Sequence, residues 1–153
     1  MAANLSTADR AELDAGGKSP KAALWAALQL PGQCLTMLDH TDGGAPMGMF
    51  GVVATDDPMV GVVWALTTDR VRRHRVRFHK VARQWVEWAN AVWPLLTNVI
   101  WAGNLGHLVW LRALGFTLLS EHTANGHLFY EFVRTRPCVI QHQSQSPRSP
   151  PPP

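Results

Sequence analysis

Residues 98–116 read NVIWAGNLGHLVWLRALGF. After Pro94, residues 99–102 form a short apolar run that suits a buried strand. Gly103-Asn104 breaks it. Residues 105–114 then carry helical spacing, and Gly115 stands where a helix ends in a left-handed turn. Phe116 opens the next strand. The stretch predicts a strand, a sharp break with an Asn, one short helix and a second strand.

Working outward, residues 116–121 and 127–133 read as two strands. Asn125-Gly126 between them is a type I′ hairpin signal, because both central positions of that turn need positive φ. Beyond Arg136-Pro137 the chain becomes PCVIQHQSQSPRSPPPP. That Pro-, Ser- and Gln-rich composition predicts a disordered tail over 137–153. Upstream, Phe78, Ala82, Trp85, Ala89 and Val92 recur at steps of four and three, flanked by Val81 and Trp88. This predicts a long amphipathic helix from about residue 75 to Trp93-Pro94, with 68–73 a polar link before it.

Before that link lie three strands, at 33–39, 46–54 and 59–67. Asp42-Gly43-Gly44 and Asp56-Asp57-Pro58 turn the chain between them. Such short connections predict an antiparallel meander. Gly48, Gly51 and Gly61 weaken strand propensity and mark bulges or close backbone approach. At the start, Ser6 or Thr7 can cap a helix over 8–15 that stops at Gly16-Gly17. Ser19-Pro20 begins a second helix, with 22–30 turning Leu24, Leu28 and Trp25 inward until Pro31-Gly32. The order is two helices, three antiparallel strands, a long helix, a strand, a helix and a hairpin. It defines an α+β domain over 1–136 with a mixed, mostly antiparallel sheet flanked by helices.

The 153-residue length fits one domain with a proper core. No apolar run reaches the roughly 18 residues of a membrane span, and the N-terminus lacks a basic-then-apolar leader pattern. These features lead to the expectation of a cytoplasmic protein. Cys34 and Cys138 are isolated and read as reduced thiols. The seven His show no ligand spacing, and no metal ligands are assigned. His122 and His127 flank the last turn and could face each other. Net charge is only +3, yet seven of the 14 Lys and Arg fall between Arg70 and Arg83. That segment reads as a solvated face, as a phosphate or CoA contact, or as a surface for nucleic acid or acidic protein. No helix-turn-helix or zinc pattern accompanies it.

The strand, the Asn, the short helix and Gly-Phe together resemble the C-terminal half of the GNAT N-acetyltransferase fold. The resemblance implies that the strands on either side of the long helix run parallel and then splay, with acetyl-CoA entering at the splay and Asn104 beside it. Further pieces narrow the likeness. They are ADRAEL at 8–13, Phe50-Gly51-Val52, Trp64, the basic-aromatic helix, the Trp-Pro-Leu-Leu-x-Asn step at 93–98, and Trp110-Leu111 leading to Leu-Gly-Phe. In that order they resemble the GNAT-related internal virion and assembly proteins of short-tailed bacteriophages, over about residues 5–133. The resemblance implies other phage virion and assembly proteins as partners, and a place in the host cytoplasm or the virion.

Two departures bear on chemistry. GNAT enzymes hold the CoA pyrophosphate on a glycine-containing loop at the start of the long helix, where exposed N–H groups meet the anion. This chain has TTDRVRRHRVRFHK there, with no glycine between Gly61 and Gly103. Arg72, Arg73, Arg75 and Arg77 are the phosphate candidates in its place, with Asn104 beside the cofactor. The Tyr that many such enzymes keep as proton donor falls at Leu111, and the third strand carries Trp64 and no acid. Asp69, His107 and Glu121 are the substitute acid–base candidates, although such residues are more often surface or capping groups. The leading expectation is therefore a phage or prophage virion-assembly protein with a catalytically degenerate GNAT fold. An active acetyl-CoA-dependent N-acetyltransferase is the alternative, and a nucleic-acid-binding module acting through 70–83 is the third.

Overall fold

The computed structural model describes residues 1–136. The tail at 137–153, with Cys138, lies outside the described residues. Six strands form one sheet in the order β1-β2-β3-β4-β6-β5. β1 (Gly32–Asp39), β2 (Ala45–Ala54) and β3 (Val60–Thr67) are the expected antiparallel meander. Gly43 and Gly44 take positive φ in the first turn. At Gly51 a Cβ would lie 2.1 Å from the Gln33 carbonyl oxygen, so close backbone approach explains that glycine.

After β3 the chain does not pass through an irregular link. Asp69–His74 winds into a 3₁₀ turn that runs into α3 (Arg75–Val92). The buried residues of α3 are Ala82, Val86, Ala89 and Asn90, with Trp85 partly buried against the core. Val81, Trp88 and Val92 are exposed. The apolar face is thus rotated by about one position from the stripe read in the sequence, because Val86 rather than its wider neighbours meets the sheet.

β4 (Leu95–Trp101) starts four residues earlier than expected and is parallel to β3 only at Val60↔Leu95, Gly61↔Leu96 and Val62↔Thr97. The 99–102 stretch already lies beyond this pairing, and along its length β4 pairs with β6 instead. α4 (Leu105–Ala113) follows, with Gly115 at φ 84 where the helix ends. β5 (Thr117–Ala124) and β6 (His127–Thr135) close the sheet through Asn125 at φ 51 and Gly126 at φ 75. Both positive values are those the type I′ turn requires. His122 and His127 do not face each other. His122 stacks on Phe129 and His127 meets Trp101 edge-on, because their strand partners are Phe129 and Ala124.

The core joins β2, β3 and β4 to α3 and α4 through Val52, Val63, Leu96, Ile100, Val86 and Leu111. α1 (Thr7–Ala15) and α2 (Pro20–Gln29) are capped by Ser6 and Ser19, whose hydroxyls accept from Asp9 N–H and Ala22 N–H. α2 corrects a sequence expectation. Leu24 is buried, but Trp25 is 64% exposed and Leu28 52%. An Ala- and Leu-rich helix offers more than one apolar face, and α2 uses only the narrow one that carries Leu24.

Candidate functional site

The site is built where β3 and β4 part. Their parallel ladder ends after three residue pairs, and Asn98 makes the last link by donating Nδ2–H to the Val63 carbonyl at 2.7 Å. A side chain here stands in for a backbone bond, and the strands then diverge. A cavity of about 1010 Å³ opens at the divergence. Ala23 and Ala27 of α2, Val62 and Trp64 of β3, Phe129 of β6 and Trp110 of α4 contribute to its largely apolar wall. The indole N–H groups of Trp64 and Trp110 are buried without a hydrogen-bond partner.

The wide end of the divergence is closed by α1. Ser6 N–H donates to the Thr67 carbonyl at 2.8 Å. Asp9 Oδ2 accepts from Thr67 N–H at 2.6 Å and from Thr67 Oγ1–H at 2.7 Å. Those contacts hold the end of β3. The other arm is held one turn later along α1, where Glu12 Oε2 accepts from Asn104 Nδ2–H at 2.6 Å. Asn104 Oδ1 meanwhile caps α4 by accepting from His107 N–H at 3.3 Å. His107 Nε2 stands 3.5 Å from Asp9 Oδ1. Ser6, Asp9 and Glu12 recur at steps of three, which places them along one face of the helix and its cap. Asp9 is 1% exposed and Asn104 2%. Burial pushes the Glu12 carboxyl above its ordinary range; donation from Asn104 and the nearby His107 oppose this.

The residues singled out in the sequence separate into two groups. His107 and Asn104 belong to this buried polar clasp. Arg72, Arg73, Arg75 and Arg77 lie exposed on the 3₁₀ turn and the first turn of α3. Asp69 is exposed beside them and pairs with Arg72 at 3.4 Å. Glu121 is on β5, in a separate depression of about 610 Å³ with Leu105, Val109 and Tyr130. Leu111 is buried in the core. Asp9, Glu12 and Thr67 were not recognised as a site from sequence. Their one local signal was the acidic pair three apart in ADRAEL.

Known structures share this frame. The IAA acetyltransferase from Bacillus cereus superposes with a TM-score of 0.58 at 16% identity, over 81% of this chain and 89% of that one. Ribosomal-protein-S5-alanine acetyltransferase from Vibrio fischeri gives 0.59 at 14%, over 76% and 72%. A Bacillus subtilis acetyltransferase in complex with CoA gives 0.58 at 11%, over 76% and 85%. The fold is that of the GNAT acetyltransferases. At these identities the likeness concerns the fold alone. In sequence, residues 51–123 match a family model described as "Bacteriophage T7, probable scaffold protein Gp13". No curated protein is significantly similar to the chain. The matched stretch begins in β2 and ends in β5, so it contains the whole divergence between β3 and β4.

Proposed function

We propose that this chain is a phage or prophage virion-assembly protein, of internal virion or scaffold type, that keeps the GNAT fold without acetyl transfer. The clasp is the observation that carries this reading. The mouth of the splay, where the resemblance puts acetyl-CoA, is taken up by groups of α1. The Thr67 backbone is bonded to Ser6 and Asp9, and Asn104 is bonded to Glu12. A thioester cofactor running along that edge would have to displace a buried carboxylate from its donors. Leu111 supplies no proton at the position of the usual Tyr, and the phosphate end offers only exposed arginines. The family match of residues 51–123 supports the assembly role.

In this reading residues 1–136 are the working domain and 137–153 a separate Pro-rich tail. Other virion proteins are the partners. The protein acts in the host cytoplasm and enters the assembling particle. No helix among the described residues is long and apolar enough to cross a membrane.

The second reading is an active N-acetyltransferase. The cavity and the CoA bound to the Bacillus subtilis neighbour favour it. Arg72, Arg73, Arg75 and Arg77 would then take the pyrophosphate and His107 would serve as base. Contact between the Arg70–Arg83 segment and nucleic acid is a third and weaker reading, resting on charge alone. Calorimetric titration with acetyl-CoA separates the first two. The assembly reading expects little binding heat at millimolar acetyl-CoA and no thiol release with a panel of amines. Micromolar binding that weakens with salt, and with Arg72→Ala/Arg73→Ala, would establish the enzyme instead.

A further inference from the structure

We propose that Asp9, Glu12 and His107 form a binding site for a divalent cation of the zinc class, which ties α1 to the start of α4. One ligand atom from each residue lies within 4.8 Å of the other two. The Asp9 Oδ1 to His107 Nε2 separation is 3.5 Å. Two ligand atoms bound tetrahedrally to zinc at ordinary lengths stand about 3.3 Å apart, so this pair needs little adjustment. The separation is also longer than a good hydrogen bond. Asp9 places both of its side-chain hydrogen bonds on Oδ2. Oδ1 of this almost fully buried carboxylate is therefore left pointing at an imidazole nitrogen without a proper bond.

The surroundings are built as metal ligands are usually supported. Each carboxylate has one oxygen fixed by a neutral donor, Asp9 by Thr67 and Glu12 by Asn104. The Trp101 backbone also donates toward Glu12, so both carboxylates are held in orientation, and Asp9 Oδ1 is the oxygen without a hydrogen bond of its own. No Lys or Arg forms an ion pair with either acid among the described residues. One buried and one half-buried carboxylate beside a single imidazole leave negative charge uncompensated, and a divalent ion supplies what is missing. Two oxygens and one imidazole nitrogen suit Zn²⁺, Co²⁺ or Mn²⁺. They are too few oxygens for Ca²⁺ and hold no soft ligand for Cu⁺. Glu12 and His107 also line the cavity, so an ion held by them would sit at its wall. The ligands come from the N-terminal helix and from a position 95 residues beyond Glu12. Binding would thus stabilise the closure of the splay directly. The inference does not depend on whether acetyl-CoA binds.

The test uses the full chain, stripped with chelator at neutral pH and titrated with ZnCl₂ by calorimetry and by thermal melting. One equivalent of Zn²⁺ should bind and raise Tm by several degrees. His107→Ala and Glu12→Gln should each weaken binding by about tenfold or more, and Asn104→Ala by about 10- to 100-fold through loss of the group that orients Glu12. CoCl₂ binding to the unmutated protein provides a readout that needs no variant, since its visible absorption reports coordination by nitrogen and oxygen. Absence of heat and of any Tm shift with Zn²⁺, Co²⁺ and Mn²⁺ would overturn the site. So would Zn²⁺ binding that His107→Ala leaves unchanged, which would move it to another histidine.

Discussion

At the narrow end of the β3–β4 pair, Gly61 packs against Val52 and Trp93, and buried Asn90 donates to the backbone carbonyls of Trp93, Pro94 and Arg134. At the wide end, buried Asn104 donates to the side chain of Glu12, and Asp9 accepts from Thr67. Each end thus has one buried Asn as its hub. The narrow hub bonds to carbonyls of the link that leads into β4 and of β6, and the Arg134 guanidinium completes it by donating to Asn90 Oδ1. The wide hub bonds to a carboxylate on a separate helix. The first closure follows from sheet and crossover geometry. The second depends on α1 staying in place, on charge and on any bound ion. The wide end is thus closed by side chains of a separate helix, and the narrow end by the sheet and the crossover that leads into it.

The largest expected effect is at the narrow end. A Cβ at Gly61 would lie 2.7 Å from Val52 Cγ2 and 2.9 Å from Trp93 Cγ, both packed between strands and helix. Gly61→Val should cost about 3 kcal/mol in urea unfolding, the upper range for overpacking a core. A loss below about 1 kcal/mol would mean that the narrow end yields, and that the two ends differ less than their contacts suggest. Next is Asp9→Ala, which leaves the Thr67 N–H and hydroxyl without their acceptor. Hydrogen bonds to a charged group are worth about 1.5–3 kcal/mol, so about 2 kcal/mol should be lost. The wide-end prediction has a second part. Hydrogen exchange should quicken in α1 and around Thr67, and stay unchanged at Leu95–Thr97. Equal loosening at both ends would break the comparison.

Asn104→Ala removes a helix cap and the donor to Glu12. It should cost about 1–2 kcal/mol, the scale of a lost N-cap. The same clasp shows what the sequence could and could not disclose. Caps and turns were legible because they are local: Ser6 and Ser19 each bond to a residue three positions on, and Asn125-Gly126 and Gly115 are positions where backbone φ selects the residue. The strand–helix–strand order around Asn104 was legible for the same reason. The clasp joins residues 58 and 92 positions apart, which no spacing rule reaches. Asn104 and His107 were therefore singled out without their partners, and the arginines were singled out for charge that the fold leaves in solvent. The buried face of α2 is not legible in the sequence, because Ala and Leu mark helix and core alike.

A smaller effect concerns the β1–β2 turn, where Asp39 faces His74, the last residue before α3. Asp39 accepts from Thr41 Oγ1–H and N–H and faces His74 Nε2 at 3.1 Å. The Thr41 hydroxyl is the main cause that holds its carboxyl down at about 2. A lowered folded pKa means a contribution that is present above the unfolded value of about 3.9 and is lost as pH falls through about 2. Carbon-detected titration should place the Asp39 midpoint near the lower figure, and Thr41→Val should move it up. An Asp39 midpoint near 4 in the unmutated protein would show that the β1–β2 turn is not fixed by this residue.

The smallest expected effect is that of Arg72→Ala/Arg73→Ala on stability. The Arg72 side chain is 83% exposed, and its partner Asp69 is also largely in solvent. An exposed pair of this kind contributes about 0–1 kcal/mol, and the entropy of two long side chains offsets much of that. Arg73 forms no ion pair among the described residues. The double change should therefore move the urea midpoint by no more than its error, in low and in high salt. This near-silence distinguishes the two ends of the splay from the basic segment beside them. The clasp residues answer to folding, whereas the arginines are free to answer to a partner. If the double change costs more than about 1 kcal/mol, these side chains are bound within the protein's own frame. Their charge would then no longer be available to a phosphate, a nucleic acid or a protein partner.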